Sequence, residues 1–328
     1  MIRFGVIGTN WITDRFIDGA SQIEDFTLTA VYSRTEEKAT AFAEKHNLEH
    51  TYTDLEQFAN SEQFDAVYIA SPTAFHSEQA ITCMNGGKHV IVEKPFASNE
   101  REVQAMVDAA KQNQTALMEA MKTTHVPNFK RLQESLDKIG PVRRYVANFC
   151  QYSSRYDKYK EGIVLNAFKP ELSNGSLMDI GVYCLYPMVA LFGAPHQVKA
   201  TAYMLDSGVD GEGTVTVDYP SVNGVAMFSK ITNSTLPSEI QGEKGSIVIG
   251  KFSDMEDVKI VYHDGSEERI DGEQVEKTMY YEAKSFIETI QNQLLENEVN
   301  TWDKSLEVIR VLDTARDDIG LRFPADQQ

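Results

Sequence analysis

Short apolar runs alternate with helix-like segments over the first 120 residues, and this alternation constrains the fold more than any other feature of the chain. The runs Arg3 to Ile7, Thr27 to Tyr32, Ala66 to Ile69, His89 to Val92 and Thr115 to Glu119 read as strands. Between them, Glu36 to His46 and Asn99 to Gln112 carry apolar residues at three- and four-residue spacing, and Asn99 with Glu102 resembles a capping box. Strands joined through helices pair in parallel, because each crossover returns the chain to the same edge before the next strand starts. The expected fold over residues 1–120 is therefore α/β, a doubly wound parallel sheet covered on both faces.

After about residue 121 the pattern changes. Val142 to Tyr152, Val198 to Leu205, Thr214 to Tyr219, Val225 to Ile231, Ile247 to Ile249 and Val258 to Tyr262 favour strands, several with period-two alternation. Asn223-Gly224 and Asp264-Gly265 have the composition of hairpin turns. Two helical stretches follow, Lys277 to Glu296 and Lys304 to Gly320. Residues 121–328 are expected to form an α+β domain with a mostly antiparallel open sheet. Such a sheet needs its second face covered and no third layer is evident, so a homo-oligomer, dimer or tetramer, is expected.

Composition fits two compact domains: 328 residues, 42% hydrophobic and 24% charged. The 31 basic and 49 acidic side chains leave a net charge of -18, which argues against nucleic acid and anionic membranes as partners. Cys83, Cys150 and Cys184 lie far apart, without zinc spacing or the pairing of a secreted disulfide scaffold, and the remaining histidines show no metal grouping. The start of the chain lacks the charged, apolar and cleavage regions of a signal peptide, and no run of roughly 18 apolar residues appears. Cytoplasmic residence is expected.

Gly8-Thr9-Asn10-Trp11-Ile12-Thr13 follows the first strand and opens a helix, the place of a dinucleotide fingerprint of the Rossmann fold. Gly8 suits the tight first turn, while Asn10 and Thr13 stand where the fingerprint has glycines. Asn tolerates positive φ, so Asn10 is expected to keep the turn; a purely structural turn is the alternative. The second strand ends Ser33-Arg34 with no acidic residue for ribose hydroxyls. A hydroxyl and a guanidinium suit a 2′-phosphate, which points to NADP with NAD as the alternative cofactor; otherwise Arg34 is a solvated loop arginine. Two more loops fall at strand ends. Ser71, Pro72 and His76 lie in one and Glu93-Lys94-Pro95 in the other; Pro72 and Pro95 stop the strands and leave Lys94 at the crevice edge, unless it is an ordinary surface lysine.

With these motifs, GVIGTNWI, SPTAFH, VIVEKPF and GSLMDIGVYCLYP in order, the chain resembles the Gfo/Idh/MocA family along essentially its whole length. The resemblance implies a Rossmann domain followed by an α/β domain whose open sheet supports the substrate and oligomer contacts. It implies that Lys94 is the lysine of a Glu-Lys-Pro motif close to the nicotinamide and the reacting oxygen. Asp179 and Tyr183 match an Asp-x-Gly-x-His/Tyr element, with tyrosine as in the branch of glucose-fructose oxidoreductase and dimeric dihydrodiol dehydrogenases. The implied substrate is a sugar, polyol or cyclic diol.

Asp179 and Tyr183 are four apart, which on a helix puts both on one face, and Gly175 and Gly181 permit close backbone approach to a cofactor or substrate. Hydride transfer at a carbinol carbon needs a group that exchanges the hydroxyl proton. Tyr183 is the candidate, Lys94 favours its phenolate and polarises the oxygen, and Asp179 binds a neighbouring hydroxyl or orients Lys94. The alternative makes Asp179 a helix-start charge and Tyr183 a packing residue. His125, Lys122 and Asn166 are further substrate candidates. A non-catalytic NADP-binding redox sensor is the competing function, against which the presence together of Lys94, Asp179 and Tyr183 speaks. An enzyme that keeps its cofactor bound between two substrates is a third.

Overall fold

The computed structural model describes residues 1–327 and separates into two units, one of residues 1–122 with 275–305 and one of residues 123–274 with 306 onward. The pattern change at 120/121 marks the first crossing. It does not mark the return: residues 275–305, expected in the second domain, pack with the first unit.

Six parallel strands build the sheet of the first unit: β1 (Ile2–Ile7), β2 (Phe26–Tyr32), β3 (His50–Tyr52), β4 (Ala66–Ile69), β5 (His89–Glu93) and β6 (Leu117–Ala120). Their order is β3-β2-β1-β4-β5-β6, so the chain reverses its direction of travel between β1 and β4. That reversal opens a crevice at the strand carboxyl ends, where such sheets bind ligands. The helices between them are α1 (Trp11–Ala20), α2 (Glu36–His46), α3 (Leu55–Ala59), α4 (His76–Asn85) and α5 (Glu100–Asn113). Asn99 caps α5 by accepting from the Glu102 amide at 3.0 Å, and Glu102 Oε2 accepts in return from the amide of Ser98, one residue before the cap.

An aromatic core fixes α1 on this sheet. Phe16 stacks on Tyr68 of β4 with centroids 3.8 Å apart, and Phe4, Phe26 and Phe286 pack around them. Phe286 belongs to α9 (Met279–Gln291), numbered after the three helices of the second unit: α6 (Pro127–Glu134), α7 (Ser154–Lys160) and α8 (Val182–Phe192). α9 lies so close to α1 that a Cβ on Gly19 would sit 2.7 Å from the amide nitrogen of Tyr280. The returning segment also covers the β6 edge: Leu117 donates to Leu295, its carbonyl accepts from the Trp302 indole, and Asn300 donates to Glu119 and Met121. Unpaired strand groups that would otherwise invite association are satisfied there.

The second unit holds an eight-stranded sheet: β7 (Val142–Cys150), β8 (Gln197–Met204), β9 (Asp210–Asp218), β10 (Asn223–Ser229), β11 (Ser238–Gly242), β12 (Gly245–Lys251), β13 (Glu256–Tyr262) and β14 (Glu267–Arg269). In the order β14-β13-β12-β11-β7-β10-β9-β8, only β7 and β10 pair in parallel. The expected turn at Asn223-Gly224 is not one: both residues pair within β10, and the chain reverses at Tyr219–Val222. Gly224 is there because a Cβ would meet Met188 and Val217 at 2.6 and 2.4 Å. Asp264-Gly265 does turn the chain, with Gly265 at φ +85°. The last helix, α10 (Trp302–Ile319), divides between the two units at Ser305. The helical run Pro170–Phe192 has the length and apolarity of a membrane span, yet 72% of it is buried against the rest of the protein, as expected of a core helix.

Candidate active site

In the first unit the crevice between β1 and β4 is shaped by two residues that replace fingerprint glycines. Gly8 has φ +103° and a Cβ there would lie 2.8 Å from the Ala70 carbonyl, so the first glycine is dictated by both strain and space. Asn10 departs from the expectation of positive φ: it is extended at φ -99° and caps α1. Its carbonyl side-chain oxygen accepts from the Ile12 amide at 2.9 Å, and its NH2 donates to the Ala70 carbonyl at 2.7 Å, bridging the ends of the two strands. Thr13 is fully buried and donates its hydroxyl proton to the Gly8 carbonyl at 3.0 Å. Thr9 is half-buried, while Trp11 at the helix start is 55% exposed beneath the Arg15 guanidinium. At the end of β2, Ser33 is buried and Arg34 is exposed with its guanidinium 5.3 Å above the Phe75 ring.

His76 serves this crevice indirectly. Its ring is buried, with Nδ1 3.0 Å from the Pro95 carbonyl and Nε2 2.8 Å from the Ser71 carbonyl. Burial pushes its pKa down to about 4, so the ring is neutral at physiological pH and donates from one nitrogen at a time. It ties the loop of Ser71 and Pro72 to that of Lys94 and Pro95. Ser71 is fixed further by donating to Gln79 at 2.6 Å.

Glu93 likewise turns inward. It is buried, accepting from the Tyr68 hydroxyl at 2.6 Å and from the Lys94 amide at 3.2 Å, which anchors its side chain at the strand end. Burial raises its pKa, against the opposing effect of Lys94 and Lys122. Lys94 is half-buried and joined to Pro95 by a cis peptide bond. Lys122, expected to line the substrate crevice, is buried with its ammonium 3.4 Å from the Thr278 hydroxyl and in the field of Glu93 and Glu282. Glu282 of α9 is fully buried with no hydrogen-bond partner for its carboxyl oxygens among the described residues, and burial followed by the Glu93 charge holds its pKa well up.

In the second unit Asp179 and Tyr183 come from consecutive turns. Leu177–Gly181 forms a wide π-helical turn, with the Val182 amide donating to the Leu177 carbonyl, and α8 continues from it. Insertions of this kind recur at functional sites because they rotate side chains out of α-helical register. Both residues are half-buried; the Tyr183 ring meets Phe149 edge-on at 5.5 Å. Asp179 pairs with Lys230, 2.5 Å away and only 2% exposed. The glycines here face the sheet of their own unit: a Cβ on Gly175 would meet Asp210 Oδ1 at 2.2 Å and one on Gly181 would meet Phe228 at 3.0 Å. Close approach is therefore needed by the fold at both positions. Asn166 is exposed at the head of a short 3-10 turn, and His125 is half-buried before α6.

Sequence reasoning overlooked Lys230, Asp210 and Glu282. Lys230 carried a readable signal, since it directly follows an apolar strand run just as Lys94 does. Asp210 and Glu282 acquire their surroundings from residues distant in sequence and carried none. Among the described residues no group of three or more His, Cys, Asp and Glu side chains forms a metal site.

Residues 2–121 match the model of the oxidoreductase family with an NAD-binding Rossmann fold, and residues 129–248 match the GFO/IDH/MocA C-terminal domain. The chain belongs to the Gfo/Idh/MocA family. Within that family it is 58% identical over 327 residues to a scyllo-inositol 2-dehydrogenase (NADP(+)) of Bacillus subtilis (strain 168), with 100% of each chain covered. It is 28% identical to a trans-1,2-dihydrobenzene-1,2-diol dehydrogenase of Xenopus tropicalis, over 98% of this chain and 99% of that one. The fold is shared with KijD10, a 3-ketoreductase from Actinomadura kijaniata solved with NADP and TDP-benzene, at a TM-score of 0.85 and 22% identity, covering 97% and 98% of the two chains.

Proposed function

We propose that this member of the Gfo/Idh/MocA family is an NADP-dependent dehydrogenase acting on a CH–OH carbon of scyllo-inositol or a closely related cyclitol. The observation that carries the reading is 58% identity, without truncation of either chain, to a dehydrogenase of that specificity. The donor set fits the cofactor. Arg34 is exposed yet held over Phe75, and the residue before it is a serine, which leaves the end of β2 without a carboxylate to repel a 2′-phosphate. The amino terminus of α1 and the Gly8 turn supply backbone donors for a pyrophosphate.

When bound, the nicotinamide accepts or returns the hydride. The chain's own residues handle the proton and the orientation. Tyr183 takes the proton of the reacting hydroxyl as the carbonyl forms and gives it back in reduction. Lys94 donates to the reacting oxygen and stabilises charge that develops on it. Asp179, already bonded to Lys230, accepts from a neighbouring hydroxyl of the ring and so selects polyols over simple alcohols. A redox sensor would need none of these three groups. Cytoplasmic residence and a homo-oligomer complete the reading, supported by three free cysteines and by the open eight-stranded sheet.

Tyr183→Phe tests the assignment. It is expected to lower kcat by about 10²-fold or more, the usual scale for general acid-base catalysis, while leaving NADPH affinity unchanged. Turnover close to that of the unaltered protein would give the proton to another group.

A further inference from the structure

Asp210 begins β9 and is completely buried in the second unit. Its Oδ2 accepts from the Leu177 amide at 2.6 Å, at the point where the wide turn begins. The Ser176 amide also favours its charge. Oδ1 has no hydrogen-bond partner among the described residues and rests against Gly175, where no side chain larger than hydrogen fits. Lys230 stands nearby, fastened to the start of β9 by its backbone amide, which donates to the Gly211 carbonyl at 2.9 Å. Its ammonium reaches Asp179 at 2.5 Å and lies 5.5 Å over the Phe168 ring.

A buried carboxylate with one oxygen left without a hydrogen-bond partner costs stability, and that cost includes the burial of a charge, which a neutral amide of the same shape would not carry. A charge kept under those terms points to function. We propose that Asp210 is a positioning residue whose charge, acting on the Leu177 amide and on Lys230, holds the wide turn so that Asp179 and Tyr183 are presented together to the substrate. The inference rests on the reading that Asp179 and Tyr183 work on the substrate.

The charged groups around Asp210 are Lys230 after β10 and, beyond it, Asp179 on the wide turn; Glu212 stands two residues along β9 and Asp206 lies in the turn before it. Burial pushes the Asp210 pKa up to about 6, against the opposing bonds and the Lys230 charge. Because this folded value lies above the unfolded one, the stability it contributes is complete below the ordinary aspartate range and lost as pH rises through about 6. The charged form, present above that pH, is the one that does the positioning.

Asp210→Asn keeps an acceptor for Leu177 and removes the charge. Thermal unfolding and the pH profile of kcat/KM with NADP and scyllo-inositol are measured on this variant and on the unaltered protein. The expected result is a melting temperature that compares better with that of the unaltered protein at pH 8 than at pH 4, a kcat lower by roughly tenfold, and loss of an acidic limb near pH 6. A melting temperature and kcat that fall together, with the shape of the pH profile retained, would overturn the proposal and leave Asp210 a structural cap. If Asp210→Asn does not fold, Lys230→Met decides: without the cation the acidic limb moves to higher pH, and an unmoved limb overturns the proposal. Tyr183→Phe separates the two levels, since full turnover there removes the catalytic reading itself. Lost turnover there with an unaltered profile in Asp210→Asn removes only this inference.

Discussion

As the proposed determinant of cofactor preference, Arg34 works against the sign of the whole molecule: a net charge of -18 repels a dinucleotide phosphate, so a local cation is needed to hold it. The guanidinium is already poised over Phe75, which limits the entropy lost when a phosphate binds. One charge-assisted hydrogen bond contributes roughly 1.5–3 kcal/mol, so Arg34→Ala is expected to weaken NADPH by about 10- to 150-fold and to leave NADH nearly unchanged in a fluorescence titration. Equal losses for both nucleotides would detach Arg34 from the 2′-phosphate. At this scale the sequence was legible where chemistry is local. Arg34 and Lys94 each follow a strand end, which the apolar runs before them mark. It was illegible where partners are distant: Asp179 meets Lys230 across 51 positions and Leu177 meets Asp210 across 33. Asn10 misled in another way, because its tolerance of positive φ drew attention from its stronger use as a helix cap.

Among elements, helix periodicity placed α2 at its observed limits and α5 within a residue or so, since each buries one continuous stripe. Three strands left no trace. β3 and β14 are three residues long and β11 five, too short for alternation to stand out from a loop. The return of residues 275–305 to the first unit was also invisible, because an amphipathic helix does not declare which sheet its apolar face will meet. Gly19 is the residue that permits this return. Gly19→Ala is expected to destabilise the protein by roughly 1–3 kcal/mol, the range for overpacking a tight contact, despite the better helix propensity of alanine. Chemical denaturation of the variant checks this, and a gain in stability would show that α1 and α9 separate freely.

For the whole molecule, a six-stranded parallel sheet and an eight-stranded, mostly antiparallel one lie in the two stretches that match the Gfo/Idh/MocA family's N- and C-terminal domains. Alternating strands and helices made the first half of that architecture readable, while the proposed substrate rests on the full-length relative. In the proposed reaction this chain removes hydride from a cyclitol and prefers NADP. Following nicotinamide reduction at saturating scyllo-inositol, with NADP or NAD in parallel, decides this. Turnover with scyllo-inositol and a higher kcat/KM for NADP than for NAD are expected. No reduction of either nucleotide by scyllo-inositol or its isomers, or a clear preference for NAD, would contradict it.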